Sequence, residues 1–343
     1  DAPDEQPAAD PAASDNLLPG AGESSAEGTE PVAEPTPSMA VLDNYVAPAV
    51  SAAKAAADFV AQIFAEVRAS DVAEGAAAPV VNDLPVAEAQ PAELEPQGRP
   101  GEGMAPMQGQ NVLVLGLGAS GLAMARWCVR CGAQVTVADT REAPPQLALL
   151  QQELPQVRFV AGPFDASLVD GKSLHAVYRS PGLSPATFAP VFQAAQAIGL
   201  VTGSELTLYA AALAYLRSQH GYAPCMLAIT GTNGKTTVTS LTGQLVERAG
   251  KTVAVAGNIG PTLLDTLAGH IDADTLPQAW VLELSSFQLD GVAGFEPTAA
   301  TVLNITQDHL DWHGDINAYA AAKARIFGQT GLMGLNREDP AVM

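Results

Sequence analysis

Residues 226–237 read MLAITGTNGKTT. Four apolar residues run into the loop Gly231-Thr232-Asn233-Gly234-Lys235-Thr236-Thr237, and a helical segment, Val238–Ala249, follows. Strand, glycine-rich loop and helix in that order form a phosphate cradle. Backbone amides and the helix N-terminus face phosphate oxygens, Lys235 neutralises the β- and γ-phosphates, and the hydroxyl of Thr236 coordinates Mg²⁺. The strict pattern G-x-x-x-x-G-K-[ST] needs glycine at position 229, where this chain has Ile229, so the loop is a shortened variant. It implies a nucleoside triphosphate bound by Gly231 to Thr237, and an α/β fold around a parallel sheet.

Downstream segments supply what such a loop needs. Trp280–Leu284 reads as a strand, and its Glu283 is placed either to hold Mg²⁺ or simply to cap the strand end. Thr301–Ile305 is a further strand, and Thr306-Gln307-Asp308-His309-Leu310-Asp311 follows it. A lone histidine is more often structural, but beside a triphosphate site His309 becomes a metal candidate. Tyr319–Phe327 reads as a short helix carrying Lys323, whose plain reading is a solvated lysine.

Upstream, Val112–Leu115 is a strand that runs into Gly116-Leu117-Gly118-Ala119-Ser120-Gly121. The helix Leu122–Arg130 and the strand Gln134–Ala138, closed by Asp139, come next. This is the order of a dinucleotide-binding βαβ unit, with Asp139 placed for ribose hydroxyls. Read alone it fits NAD, or a tight structural turn. Ala176–Arg179 runs into Ser180-Pro181-Gly182, either a turn or a ligand loop at a strand's carboxyl end. Cys128 and Cys131 lie within the helix after the glycine turn, and with no second pair and no nearby histidine they read as buried thiols rather than a zinc site.

Charge divides the chain. Of 343 residues, 37 are acidic and 16 basic, a net of −21; residues 1–109 hold 19 of the acids against Lys54, Arg68 and Arg99, a net of −16. A basic nucleic-acid-binding face is therefore excluded as the main function. No apolar run approaches the length of a membrane span, the acidic start lacks the features of a secretory signal, and three cysteines are too few for a disulfide framework. A cytoplasmic location is the expectation. Residues 1–109 hold 14 of the 26 prolines and few large apolar groups, which predicts a largely disordered tail. Within it, Phe59, Val60, Ile63, Phe64 and Val67 have helical spacing, giving a helix over 49–68 that docks on a partner or on the protein's own body, or stands alone.

Taken with GNIG at 257–260, ELSSFQL at 283–289, NITQDHLD at 304–311, YAAAK at 319–323, ADTR at 138–141 and SPG at 180–182, the chain resembles the Mur ligases of peptidoglycan synthesis over about residues 110–330. The resemblance implies a Rossmann-like domain over 110–203 that binds the UDP of the substrate rather than NAD. A linker over 204–224 and an ATP-binding central domain over 225–343 follow, this domain being incomplete here and the D-glutamate-binding C-terminal domain absent. By position, Leu117, Thr140 and Arg141 take the uracil and ribose, and Ser180, Pro181 and Gly182 the diphosphate. Thr236 and Glu283 hold a first Mg²⁺, His309 a second, and Asn258 steadies the reacting groups. Lys323 matches a lysine that the family carbamylates with CO₂, which would make it an anionic ligand. The implied reaction adds D-glutamate to UDP-N-acetylmuramoyl-L-alanine through an acyl phosphate made from ATP, in a monomer. A sister ligase adding another amino acid such as L-alanine, and an inactive fragment recruiting partners through its tail, are the competing readings. The chain is expected to be a fragment that cannot complete the ligation alone.

Overall fold

Short apolar runs closed by glycine turns become the strands of two parallel sheets in the computed structural model, which describes residues 104–343. The expected tail before residue 104 and its 49–68 helix lie outside the described residues. The first sheet takes the order β3-β2-β1-β4-β5. Its elements are β1 (Asn111–Leu115), α1 (Ala119–Arg130), β2 (Gln134–Asp139), α2 (Leu147–Glu153), β3 (Arg158–Ala161), β4 (Ala176–Arg179), α3 (Pro185–Ala197) and β5 (Val201–Ser204). Side chains of the central β1 alternate between two cores. Val112 and Val114 join the helices α1 and the one after β5, whereas Leu113 and Leu115 join Val191 and Ala195 of α3. A strand buried on both faces explains why VLVL is continuous rather than alternating.

Within the expected linker over 204–224 lies a 16-residue helix, α4 (Glu205–His220). At its start the Thr207 hydroxyl accepts from the Ser204 amide (3.2 Å), and Gly221 ends it in the left-handed conformation, φ 66°. Tyr209, Leu213 and Leu216 are buried along it, so the segment is part of the core rather than a tether.

The second sheet takes the order β10-β9-β6-β8-β7. It comprises β6 (Cys225–Thr230), α5 (Lys235–Arg248), β7 (Val253–Gly257), α6 (Leu263–Asp272), β8 (Ala279–Glu283), the one-turn α7 (Ser286–Leu289) and β9 (Ala299–Val302). The one-turn α8 (Leu310–His313), α9 (Ile316–Ala324), a 3₁₀ turn (Arg325–Phe327) and β10 (Leu332–Leu335) complete it. The central β6 lies between β8 and β9, in register Ile229 with Glu283 and Ile229 with Thr301. The loops after all three strands therefore open side by side at their carboxyl ends, where ligands bind in open α/β sheets. β10 has a strand neighbour on one side only among the described residues, and Leu332 and Met333 are 74 % and 58 % exposed.

Three helix starts differ from the sequence reading. The helices α1 and α5 begin at Ala119 and Lys235, earlier than expected, because Gly118 and Gly234 serve as their N-caps. The helix carrying Lys323 starts at Ile316 and becomes 3₁₀ after Ala324. Order also begins before Asn111: Met104 and Met107 are buried in the first core, and the Met107 amide donates to the carbonyl of Cys131 (3.0 Å). The last residues of the expected tail are thus docked, because two large apolar side chains offset the entropy of fixing them. Cys128 and Cys131 are buried, and burial pushes the Cys131 thiol up to about 11.

Arginines on α1 tie the two halves together. Arg126 pairs with Glu153 of α2 (2.7 Å) and Asp265 of α6 (3.0 Å), and Arg130 with Asp272 (2.7 Å).

Candidate active site

The phosphate loop leaves the buried end of β6 and turns into α5 at Gly234, φ 80°. The turn needs glycine there, since side chains rarely adopt that conformation. Lys235, Thr236 and Thr237 fall in the first helical turn, where amide N–H groups have no intrahelical partner. Lys235 Nζ folds back on its own backbone, donating to the carbonyls of Gly231 (3.0 Å) and Thr232 (2.9 Å).

Residues after β9 brace this loop. The Asn304 side chain accepts from the Asn233 amide (2.8 Å) and donates to the Asn233 carbonyl (3.0 Å). The Asn304 carbonyl accepts from the Thr232 amide (3.0 Å), and the Thr232 hydroxyl accepts from the Thr306 amide (3.0 Å) and lies 3.1 Å from the Tyr319 hydroxyl. No role had been read for Asn304, Thr306 or Tyr319. Their motif was visible, but nothing local says that it grips a loop 71 residues earlier.

Lys323 is not the solvated lysine of the plain reading. It is 1 % exposed, and its Nζ donates to the Gly231 carbonyl (2.8 Å) and reaches the Thr230 hydroxyl (3.4 Å). Burial, then the neighbouring Lys235 cation, lowers its ammonium to about 7, against an opposing pull from Asp308. Burial is the larger cause.

On the other side of β6, Glu283 ends β8 and is 1 % exposed. Asn258 holds it twice: its side-chain amide donates to the carboxylate (3.0 Å), and its backbone amide to the Glu283 carbonyl (2.7 Å). Gly257 at φ 124° makes this approach, and a Cβ there would collide with the Glu283 carbonyl oxygen. His309 begins α8 in the left-handed region, φ 52°, half exposed, with Asp308 at 3.5 Å and the Phe287 ring at 4.6 Å. Among the described residues no cluster of three or more His, Cys, Asp or Glu side chains is assembled.

In the first domain a cleft of about 410 Å³ is lined by Gly118, Thr140, Arg141, Ser180, Pro181 and Gly182, among others. Five of the six UDP candidates thus meet. Leu117 does not line it: its side chain is buried in the core. Asp139 is also used differently from the ribose reading. Its carboxylate accepts from the Leu117 amide (2.7 Å) and from the Arg141 amide and guanidinium (2.8–2.9 Å). Burial opposes its ionisation, but those hydrogen bonds prevail and hold the carboxyl below its usual range. Asp139 therefore fastens the glycine turn and aims Arg141. The Ser180 hydroxyl donates to the Gly116 carbonyl (2.9 Å), linking the two loops of the cleft.

Both domains match known families. Residues 110–202 match the Mur ligase MurD-like N-terminal domain, and residues 229–343 the Mur ligase middle domain. The chain belongs to the Mur ligase family. It is 68 % identical over 237 residues to a UDP-N-acetylmuramoylalanine–D-glutamate ligase of Albidiferax ferrireducens, covering 69 % of this chain and 47 % of that relative. To the ligase of the same name in a Polaromonas species it is 53 % identical over 323 aligned residues, covering 69 % and 55 %. A third, from Cupriavidus pinatubonensis, is 59 % identical over 242 residues, covering 69 % and 48 %. The chain spans about half the length of the curated relatives it matches.

The glycine turn first read for NAD thus lies in a MurD-like N-terminal domain.

Proposed function

We propose that the chain provides the UDP-substrate and ATP sites of a ligase that adds D-glutamate to UDP-N-acetylmuramoyl-L-alanine in peptidoglycan synthesis. Residues 110–203 take the uridine diphosphate and residues 225–343 the ATP. One observation carries the reading: Lys235 and Lys323 converge on the Gly231 carbonyl beneath a glycine-rich loop, across β6 from the buried Glu283.

The donor set fits Mg²⁺, which prefers carboxylate and hydroxyl oxygens completed by substrate phosphates. Glu283 and Thr236 would hold one ion, and His309 with a modified Lys323 a second. When bound, the metal lessens the repulsion between a carboxylate and a triphosphate. The chain's own residues do the rest. Lys235 exchanges its two backbone carbonyls for phosphate oxygens, and the first-turn amides of α5 orient the triphosphate. Near neutral pH much of the Lys323 amine is unprotonated, so its lone pair can bond to CO₂, releasing a proton and leaving a carbamate. The substrate carboxylate then attacks the γ-phosphorus and ADP departs. The amine of D-glutamate attacks the acyl carbon, and phosphate leaves as the amide forms. A cytoplasmic monomer suits these substrates, and among the described residues no helix is long and apolar enough to cross a membrane.

The test is phosphate release from ATP by the protein carrying this chain, given UDP-N-acetylmuramoyl-L-alanine. We expect release to require D-glutamate. Equal release from UDP-N-acetylmuramate with L-alanine would overturn the assignment.

A further inference from the structure

The Ser180-Pro181-Gly182 turn borders the UDP cleft, yet both of its ends are held by the other domain. Before it, Arg179 ends β4 and is 3 % exposed. Its Nη2 donates to the carbonyl and to the carboxylate of Asp290, both at 2.9 Å. Asp290 follows α7, and its second carboxylate oxygen accepts from Arg325 (2.9 Å), two residues beyond Lys323. After the turn, the Leu183 carbonyl accepts from the indole N–H of Trp312 (3.2 Å) in α8, the helix that begins beside His309. The Arg179 guanidinium lies 4.4 Å from the Phe188 ring centroid and 5.8 Å from that of Trp312, so one cation touches both clamps.

This arrangement is costly. Arg179 Nη1 is buried with no hydrogen-bond partner, and burial works against the guanidinium charge more than Asp290 supports it. A buried cation with an idle donor is poor design for stability alone. Its partners are informative: Asp290 also grips the segment carrying Lys323, and Trp312 sits three residues after His309.

We propose that Arg179, through Asp290 and with Trp312, is a positioning residue that couples the UDP cleft to the ATP site. The inference rests on the reading of those two sites given above. A ligand in the cleft favours one setting of the Ser180-Pro181-Gly182 turn, and that setting fixes the contacts around His309 and Lys323. Each nucleotide therefore binds more tightly when the other is present, and by the same factor.

Titration calorimetry of the protein carrying this chain tests this, using UDP as one probe and a non-hydrolysable ATP analogue with Mg²⁺ as the other. In the wild type, UDP affinity should rise about fivefold or more when the analogue is present, with a matching rise in the reverse order. In Arg179→Met each ligand should still bind alone, but the ratio should fall to about one. Trp312→Phe keeps the ring, removes the N–H, and should also lower the ratio; it carries the test if Arg179→Met does not fold. A residue that merely supports the fold would weaken both affinities and leave the ratio alone. An undiminished ratio in the folded variants overturns the coupling, as does independent binding of both ligands to the wild type, and either result leaves the site assignments standing. Failure of the wild type to bind UDP or the analogue overturns those assignments and the coupling with them.

Discussion

Lys323 has the strongest titration consequence of any residue in the site. Its amine titrates at about 7 when folded, against an ordinary lysine value of 10.5. Between those values the unfolded chain holds a proton that the folded chain has shed, so stability rises with pH across that window. Below about pH 7 the folded state bears the full cost of a buried cation. Lys323→Met removes that cost. In CO₂-free buffer we expect the variant's advantage in unfolding free energy to shrink by about 4 kcal/mol between pH 7 and pH 10, measured by denaturant titration. An advantage that stays constant with pH would show that the lysine is not held in this state. With ¹³C-labelled CO₂, the wild type should give a carbamate carbon resonance that Lys323→Arg lacks. The sequence offered YAAAK as a motif only. The burial that tunes this amine comes from β6 and the loop after it, more than 90 residues away, and no local pattern reports that.

At the scale of elements, the site depends on how closely strand ends and loops approach. Gly257 lies against the Glu283 carbonyl at φ 124°, where a methyl group has no room and a poor backbone conformation. Gly257→Ala should destabilise the domain by about 3 kcal/mol or more, read from the denaturation midpoint. A loss under about 1 kcal/mol would mean that β7 and β8 part easily. Asn304 braces the phosphate loop by bonding the Asn233 amide and carbonyl with its side chain. Asn304→Ala should cost about 1–3 kcal/mol and weaken binding of the ATP analogue about tenfold while UDP binding is retained. Strands and phosphate loop were legible in the sequence because each is a local pattern, apolar run followed by glycine turn. Helix starts were misjudged because Gly118 and Gly234 serve as caps as well as turn residues. The expected linker holds α4 because its many apolar residues, such as Leu206, Tyr209 and Leu213, pack into the core on contacts made far away in sequence.

For the whole molecule, the contacts joining the two domains escaped the sequence altogether. Arg179 and Asp290 are 111 residues apart, Arg126 and Asp265 are 139 apart, and no local pattern pairs them. Glu205 shows the same effect at the start of α4. It is buried, it accepts from the Leu264 amide of α6 (3.2 Å), and burial raises its carboxyl above the ordinary range despite the hydrogen bonds made to it. The folded state therefore favours the protonated form, and stability falls as pH rises through the carboxylate range. Glu205→Gln should gain stability relative to the wild type as pH rises from 4 to 7, measured by thermal unfolding. A gain in the opposite direction would mean that the carboxylate form is the one this interface was built around.

The outer strand β10 gives the acidic composition a second meaning. Leu332, Met333 and Leu335 stand in solvent on a strand with one side unpaired among the described residues, an adhesive strip onto which another strand could add. The net charge of −21 opposes it by mutual repulsion between molecules. For residues 1–343 by themselves, solution behaviour sets a sticky edge against a charged surface, and added salt weakens only the repulsion.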